Sequence, residues 1–281
     1  MSVSAGAKVQ RRTSGLSDKV RKRIEITILS LPALIMFLGF VILPVFMAGY
    51  YGFFKWKGYG KPTVNGQFIG FENYKVILTD PNFQQALGHT LFVVVASLVI
   101  QGPLAILFAL LLNQKFKGRA LIRTLIFVPY VVSEVIVGTG WSLILQTTGA
   151  LNALLKKIGL GGADWISDPK IAIWTLMFII SWKYIGFAVI LMIAGMQSIP
   201  EDLYEAAKVD GAGFWRQQWS ITLPLLGPTI RIWAFMSIIG SLQLFDLVYI
   251  IWGQYVSSTA GTSTMATYMV REGRLANNYG Y

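Results

Sequence analysis

The chain has 281 residues, 54% of them hydrophobic and 13% charged, where ordinary soluble domains carry about 25% charged residues. Its net charge is +11 and it has no cysteine, which excludes disulfides and cysteine-based metal or nucleophile chemistry. The basic residues flank apolar blocks longer than the roughly 18 residues needed to cross a bilayer, which is a membrane pattern and not a nucleic-acid one.

Residues 1–25 form a polar, basic segment with Lys8, Arg11, Arg12, Lys19, Arg21, Lys22 and Arg23. The first apolar block, 26–54, contains Pro32 and Pro44. It is too long for a signal-peptide core and has no small-residue cleavage site behind it, so it reads as a retained span. Spans 2 to 5 are predicted at 86–112, 121–145, 171–197 and 225–252. His89, the only histidine, opens span 2 and reads as structural or interfacial.

Charge placement predicts orientation. The N-terminal cluster, Lys115, Lys117, Arg119, Arg123, Lys208, Arg216 and Arg231 would share one face. The smaller set of Lys55, Lys57, Lys61, Lys75, Lys156, Lys157, Lys170, Arg271 and Arg274 would share the other. The excess puts the N-terminus in the cytoplasm. Residues 1–25 are then a cytoplasmic segment, 26–281 the membrane domain, and the tail from 253 lies outside. The fold class expected is all-α, a polytopic helical bundle.

Several spans carry polar residues that are costly in hydrocarbon and so face a cavity or a partner. Gln101 lies in span 2, Glu134 in span 3 and Lys183 in span 4, all near mid-depth. Span 5 carries Gln243 and Asp246, beside a stripe of Phe245, Tyr249 and Trp252. Aromatic faces beside hydrogen-bonding groups suit a sugar, which has apolar C–H faces and hydroxyl edges. Each residue also has a structural reading. Glu134 and Lys183 could be an ion pair between helices, Gln101 a cross-helix bond, and Tyr249 and Trp252 interfacial anchors.

The loop 198–224 reads SIPEDLYEAAKVDGAGFWRQQWSITLP. Ser198 and Glu201 have capping-box spacing, Glu201 and Asp202 suit a helix start, and Gly211 suits a helix end. A short exposed helix with a flat Ala206–Ala207 patch is predicted, followed by a turn and a second helical piece.

Glu205, Ala206, Ala207, Gly211, Ile221, Leu223 and Pro224 together match E-A-A-x3-G-x9-I-x-L-P. This resembles the cytoplasmic loop of binding-protein-dependent ABC importer permeases. Residues 68–90, 118–141, 245–253 and 262–273 resemble their sugar-permease branch, the maltose and glycerol-3-phosphate type. The resemblance implies a type I ABC importer permease for a carbohydrate, in a bacterial plasma membrane. It implies that Glu205 contacts an ATPase subunit and that Ala206 and Ala207 allow close approach. Gly211 would supply the turn, while Ile221, Leu223 and Pro224 would anchor the loop against the spans.

The implied partners are a second homologous permease subunit, two ATPase subunits and an extracytoplasmic sugar-binding protein, with lipid around them and no nucleic acid. No cofactor is expected on this chain. It has no G-x-x-x-x-G-K-[ST] loop, so ATP and Mg would sit on the ATPase, and the chain would not itself be an enzyme. Such permeases have six spans where five are predicted here, so a last span beyond Tyr281 is expected. Two other readings stay open: an ABC permease for a non-sugar solute, or an ion-coupled transporter with Glu134, Lys183 and Asp246 as a relay. A membrane enzyme is disfavoured, because no nucleophile–base or metal constellation is in sight.

Overall fold

The structure is a computed structural model that describes residues 18–114, 116–259 and 261–281. Lys8, Arg11, Arg12 and Lys115 lie outside the described residues. In chain order the elements are α1 (Asp18–Phe37), α2 (Leu43–Tyr51), β1 (Phe54–Lys55), α3 (Pro62–Asn65), β2 (Gln67–Phe68) and α4 (Glu72–Thr79). Then come α5 (Pro81–Ala96), α6 (Gly102–Leu112), α7 (Arg119–Val131), α8 (Glu134–Ile144), α9 (Ala150–Lys157) and α10 (Ala172–Gln197). The rest are α11 (Glu201–Val209), α12 (Phe214–Gln217), α13 (Leu223–Leu242), α14 (Asp246–Thr259) and α15 (Met265–Val270). The helical expectation stands, with one small exception: β1 and β2 form a two-residue antiparallel pair.

Three spans carry one widened π turn each, and each turn sits just ahead of a proline. The turns are Leu38–Ile42 before Pro44, Ser97–Gln101 before Pro103, and Gln218–Thr222 before Pro224. Proline has no N–H and its ring crowds the carbonyl four residues back, so an ordinary α turn there would lose a bond and clash. Widening the turn relieves both within an otherwise continuous helix.

The helical stretches Lys19–Tyr51, Pro81–Leu112, Ala172–Gln197 and Phe214–Gly253 are long and apolar enough to span a membrane. The third apolar block departs from the straight span expected at 121–145: α7 and α8 meet at 96°, and counted together as one broken span they bring the number to five. The fifth block, expected as one helix over 225–252, is interrupted at 243–245 between α13 and α14. The first span buries none of its apolar window within the chain. A bilayer tolerates this because lipid tails are as apolar as the side chains.

Successive crossings gather the loops into two faces. Residues 113–114, 116–118 and 198–222 share one, called here the loop face, and 52–80, 145–171 and 261–281 share the tail face. Each half of the bundle has its own apolar cluster. The tail-side cluster includes Val93, Val137, Leu176, Ile179, Leu247 and Val248. The loop-side cluster includes Ala105, Ala109, Val189, Met192, Leu226 and Trp233. Small residues allow the close crossings: Gly186 lies against the α7 backbone at Ile126 and Phe127, and Gly138 against Ile250.

The tail face is tied down by polar contacts. His89 Nδ1 lies 3.0 Å from the Ser263 carbonyl, and Met265 N donates to Thr90 Oγ1. Tyr268 and Tyr281 both donate to Asp80 Oδ2, at 2.6 and 2.9 Å. Partial burial opposes ionisation of Asp80, but these bonds and those from Asn82 outweigh it and hold the carboxyl below its usual range. A folded-state pKa that is lowered contributes stability above the unfolded value, lost only as pH falls through the folded one. The tie is therefore intact at neutral pH and loosens only in acid.

Candidate functional site

Two places bring candidate residues together: a polar layer between the two apolar clusters and the loop on the opposite side of the second.

The layer surrounds a cavity of about 200 Å³, lined by residues of α5, the π turn after it, α7, α10 and α13. Gln101 is 3% exposed and lines it. Its Oε1 accepts from Ser97 Oγ at 2.9 Å, and Ser97 also bonds Ser237. Gln101 Nε2 is buried and has no partner. A buried amide without an acceptor costs about 1–3 kcal/mol. Tyr130 and Phe187 stack with centroids 5.0 Å apart, and Tyr184, Trp233 and Ser241 complete the wall.

Glu134 and Lys183, predicted near mid-depth, do meet: Nζ and Oε1 are 3.5 Å apart. The Lys183 side chain is 3% exposed and its Nζ also donates to the carbonyls of Val132 and Pro129. Glu134 Oε1 accepts from Tyr184 at 2.6 Å, while Oε2 is buried without a partner. Of the predicted path residues, Gln101 lines the cavity, while Glu134 and Lys183 do not line it but pair beside it, Glu134 through the lining residue Tyr184.

The five predicted on span 5 do not line the cavity. All but Gln243 follow Leu244, the last residue of this segment that lines it. Gln243 is the exposed C-cap of α13, and Asp246 is exposed in the first turn of α14. Phe245 and Tyr249 stack on each other, 5.1 Å between centroids. Trp252 is 2% exposed within the tail-side cluster, and its Nε1 donates to the Ile166 carbonyl at 2.7 Å. The predicted aromatic stripe is thus two separate contacts.

Sequence reasoning missed Ser97, Tyr130, Tyr184, Phe187, Trp233, Ser237 and Ser241. A signal existed for three of them. Ser97 pairs with Gln101, and Ser237 with Ser241, at i, i+4 inside apolar blocks, which places both pairs on single helix faces.

On the loop face, α11 is the short helix expected. Its cap differs: Pro200 is the N-cap without a side-chain bond, and Ser198 Oγ donates to the Gly195 carbonyl instead of forming a capping box. Proline's fixed φ starts the helix without a cap, and Glu201 and Asp202 complement its positive end. The C-terminus closes as a Schellman motif. Gly211 has φ +73°, its N–H bonds Lys208 O, and Ala212 N–H bonds Ala207 O.

Glu205 and Ala206 are exposed and Ala207 is half-buried, so the flat patch faces outward. Glu205 lines a groove of about 860 Å³ with Arg119, Lys208 and Gln218. The loop is anchored differently from expectation. Pro224 is exposed and Ile221 and Leu223 are half-buried. Buried Thr222 instead bonds Tyr204 of α11 at 2.9 Å and Gln218 at 2.8 Å, and Gln217 donates to Ala212 O. The part played by Pro224 is the widened turn before it.

Residues 101–274 match the profile of the family described as binding-protein-dependent transport system inner membrane component. The chain is 33% identical to the trehalose/maltose transport system permease protein MalF of Thermococcus litoralis, over 79% of this chain and 75% of that one. It is 31% identical to the probable starch degradation products transport system permease protein AmyD of Thermoanaerobacterium thermosulfurigenes, over 85% and 78% respectively. Among solved structures, it resembles a chain of a bacterial alginate ABC transporter crystallised with an alginate pentasaccharide-bound periplasmic protein. That match has a TM-score of 0.77 and 28% identity, covering 93% of this chain and 87% of that one.

Proposed function

The chain belongs to the family of binding-protein-dependent transport system inner membrane components, and on that premise we propose that it is a permease subunit of an ATP-driven importer for carbohydrate. The observation that carries the sugar reading is the cavity itself. It combines hydroxyl groups, the Gln101 side chain and stacked aromatic rings at the level where the two apolar clusters part. At about 200 Å³ it is below the roughly 300–1,000 Å³ of drug-sized sites, so it suits one sugar ring at a time.

The same layer favours uncharged sugars. Among its described residues the cation is Lys183, and its protons are already directed at Val132, Pro129 and Glu134. Transport subunits of this kind are not enzymes. The N-terminus and the loop face are cytoplasmic in this reading, as the Lys and Arg excess suggests. α11 is the helix that docks into an ATPase subunit, with Glu205 as its polar contact and Ala206 and Ala207 at the close approach. ATP and Mg belong to that subunit and no cofactor to this chain. A second permease subunit, a second ATPase subunit and an extracytoplasmic sugar-binding protein complete the assembly.

The test is copurification from the native membrane, then reconstitution of the assembly in liposomes with its binding protein. A panel of radiolabelled neutral and uronate oligosaccharides, amino acids and peptides is offered with and without internal ATP. ATP-dependent accumulation of a neutral sugar is expected. Accumulation of only amino acids or peptides, or accumulation independent of ATP, overturns the reading.

A further inference from the structure

We propose that Lys183 is a positioning residue of the transport path: its ammonium holds the two arms of the broken third span together and so sets the shape of the cavity. The span breaks where Val132 and Ser133 are extended, with ψ of 138° and 150°. A break at membrane depth frees backbone carbonyls where no water is at hand, and such backbone persists only where protein groups satisfy it. Lys183 does this. Its Nζ donates to Val132 O at 2.6 Å and to Pro129 O at 3.4 Å, and it faces Glu134 Oε1 at 3.5 Å.

Two hydrogen bonds and one ion pair thus surround the ammonium. Two acceptors lie at the end of α7, and the third belongs to the first residue of α8. One group on α10 therefore ties both arms, and α10 runs unbroken from Ala172 to Gln197 as the frame. Tyr184, next to Lys183, makes a second tie to Glu134 at 2.6 Å. The arms also carry the site. Tyr130, in the last turn of α7, and Tyr184 both line the cavity, so a shift of α7 against α10 moves its wall. At 3% exposure, Lys183 could reach a sugar only by releasing these acceptors.

The chain lacks cysteine, so spin labels can be placed by Leu121→Cys and Leu143→Cys, both at exposed positions on the two arms. A straight helix would separate these backbone positions by about 33 Å. The 96° bend brings them to about 21 Å. The measurement is the label-to-label distance in the complete transporter in nanodiscs, for two electroneutral pairs of substitutions. Lys183→Gln with Glu134→Gln keeps amide donors for the carbonyls; Lys183→Met with Glu134→Gln removes them.

The glutamine pair is expected to hold the short distance. The methionine pair is expected to lengthen or broaden the distance by up to about 10 Å and to raise KM roughly tenfold. Two results overturn the proposal: the methionine pair keeps the parent distance and KM, or the glutamine pair loses the bend. Where the methionine pair does not assemble, the glutamine pair decides alone, by holding or losing the short distance. The spin-label distance is read whether or not the transported solute is a sugar, so failure here is separate from failure of the carbohydrate reading.

Discussion

The loop-face helix and the mid-membrane layer are built on opposite terms. In α11 the signature side chains point outward and the backbone shapes the site: Gly211 in its left-handed turn, the Schellman bonds, and a single hydroxyl tie from Tyr204. In the layer the polar side chains are buried and themselves hold the backbone, as Lys183 does at the break in span 3. A surface that meets a protein partner can wait unsatisfied in water. A polar group at membrane depth cannot, so it is bonded within the chain or reserved for what enters.

The largest effect expected on this contrast is from Glu205→Lys. Glu205 is exposed and makes no hydrogen bond that folding needs, so the chain should reach the membrane in normal amounts. At a docked interface, reversing a charge costs about 2–5 kcal/mol, roughly 30-fold or more in affinity. Uptake and sugar-stimulated ATP hydrolysis should fall together. Normal transport by this variant would remove α11 from the coupling role.

Gly211→Val should act more mildly and through the backbone alone. No atom lies within 4 Å of a Cβ built there, so crowding is not the cost. Placing a β-branched residue at φ +73° costs about 1–2 kcal/mol, and Gly211→Asn should cost less. Coupled ATP hydrolysis, measured beside the thermal unfolding of the assembly, reads the difference. Equal effects of Val and Asn would mean that the left-handed turn is not what positions the helix.

The same contrast explains what the sequence made legible. The loop from Glu205 to Gly211, proposed to couple to an ATPase, is a contiguous motif and could be read in a line. The layer is assembled from four segments by tertiary packing. Gln101, Glu134 and Lys183 were visible as polar residues in apolar blocks, but their contacts depend on how the spans cross. The break in span 3 left a local trace: Pro129, then the extended Val132, then Ser133 capping a helix that opens on Glu134. Mean hydropathy passes over such a break because both arms are apolar. The interruption at 243–245 left no comparable proline.

Gln101→Leu probes the layer without touching the loop. The change removes a cavity-lining side chain whose buried amide nitrogen has no partner, and with it the acceptor of Ser97. Loss of a neutral hydrogen bond to a sugar hydroxyl is worth about 0.5–1.5 kcal/mol. KM for the transported sugar should rise by about two- to tenfold, with maximal ATP hydrolysis unchanged. A fall in maximal hydrolysis at constant KM would instead place Gln101 in the coupling of the two halves.

The smallest effect is expected from Asp246→Ala, and the sequence alone favoured the opposite outcome. Asp246 is exposed in the first turn of α14, on the tail side of the interruption, and does not line the cavity. What it offers the fold is a negative charge at a positive helix end, worth about 0.3–1 kcal/mol. Apparent sugar affinity and maximal uptake should therefore both stay within about fivefold of the parent. A rise in KM well beyond tenfold would show that sugar contacts α14 on its way in. The transport path would then extend past Leu244 toward the tail face, and the cavity at Gln101 would be its inner station and not the whole of it.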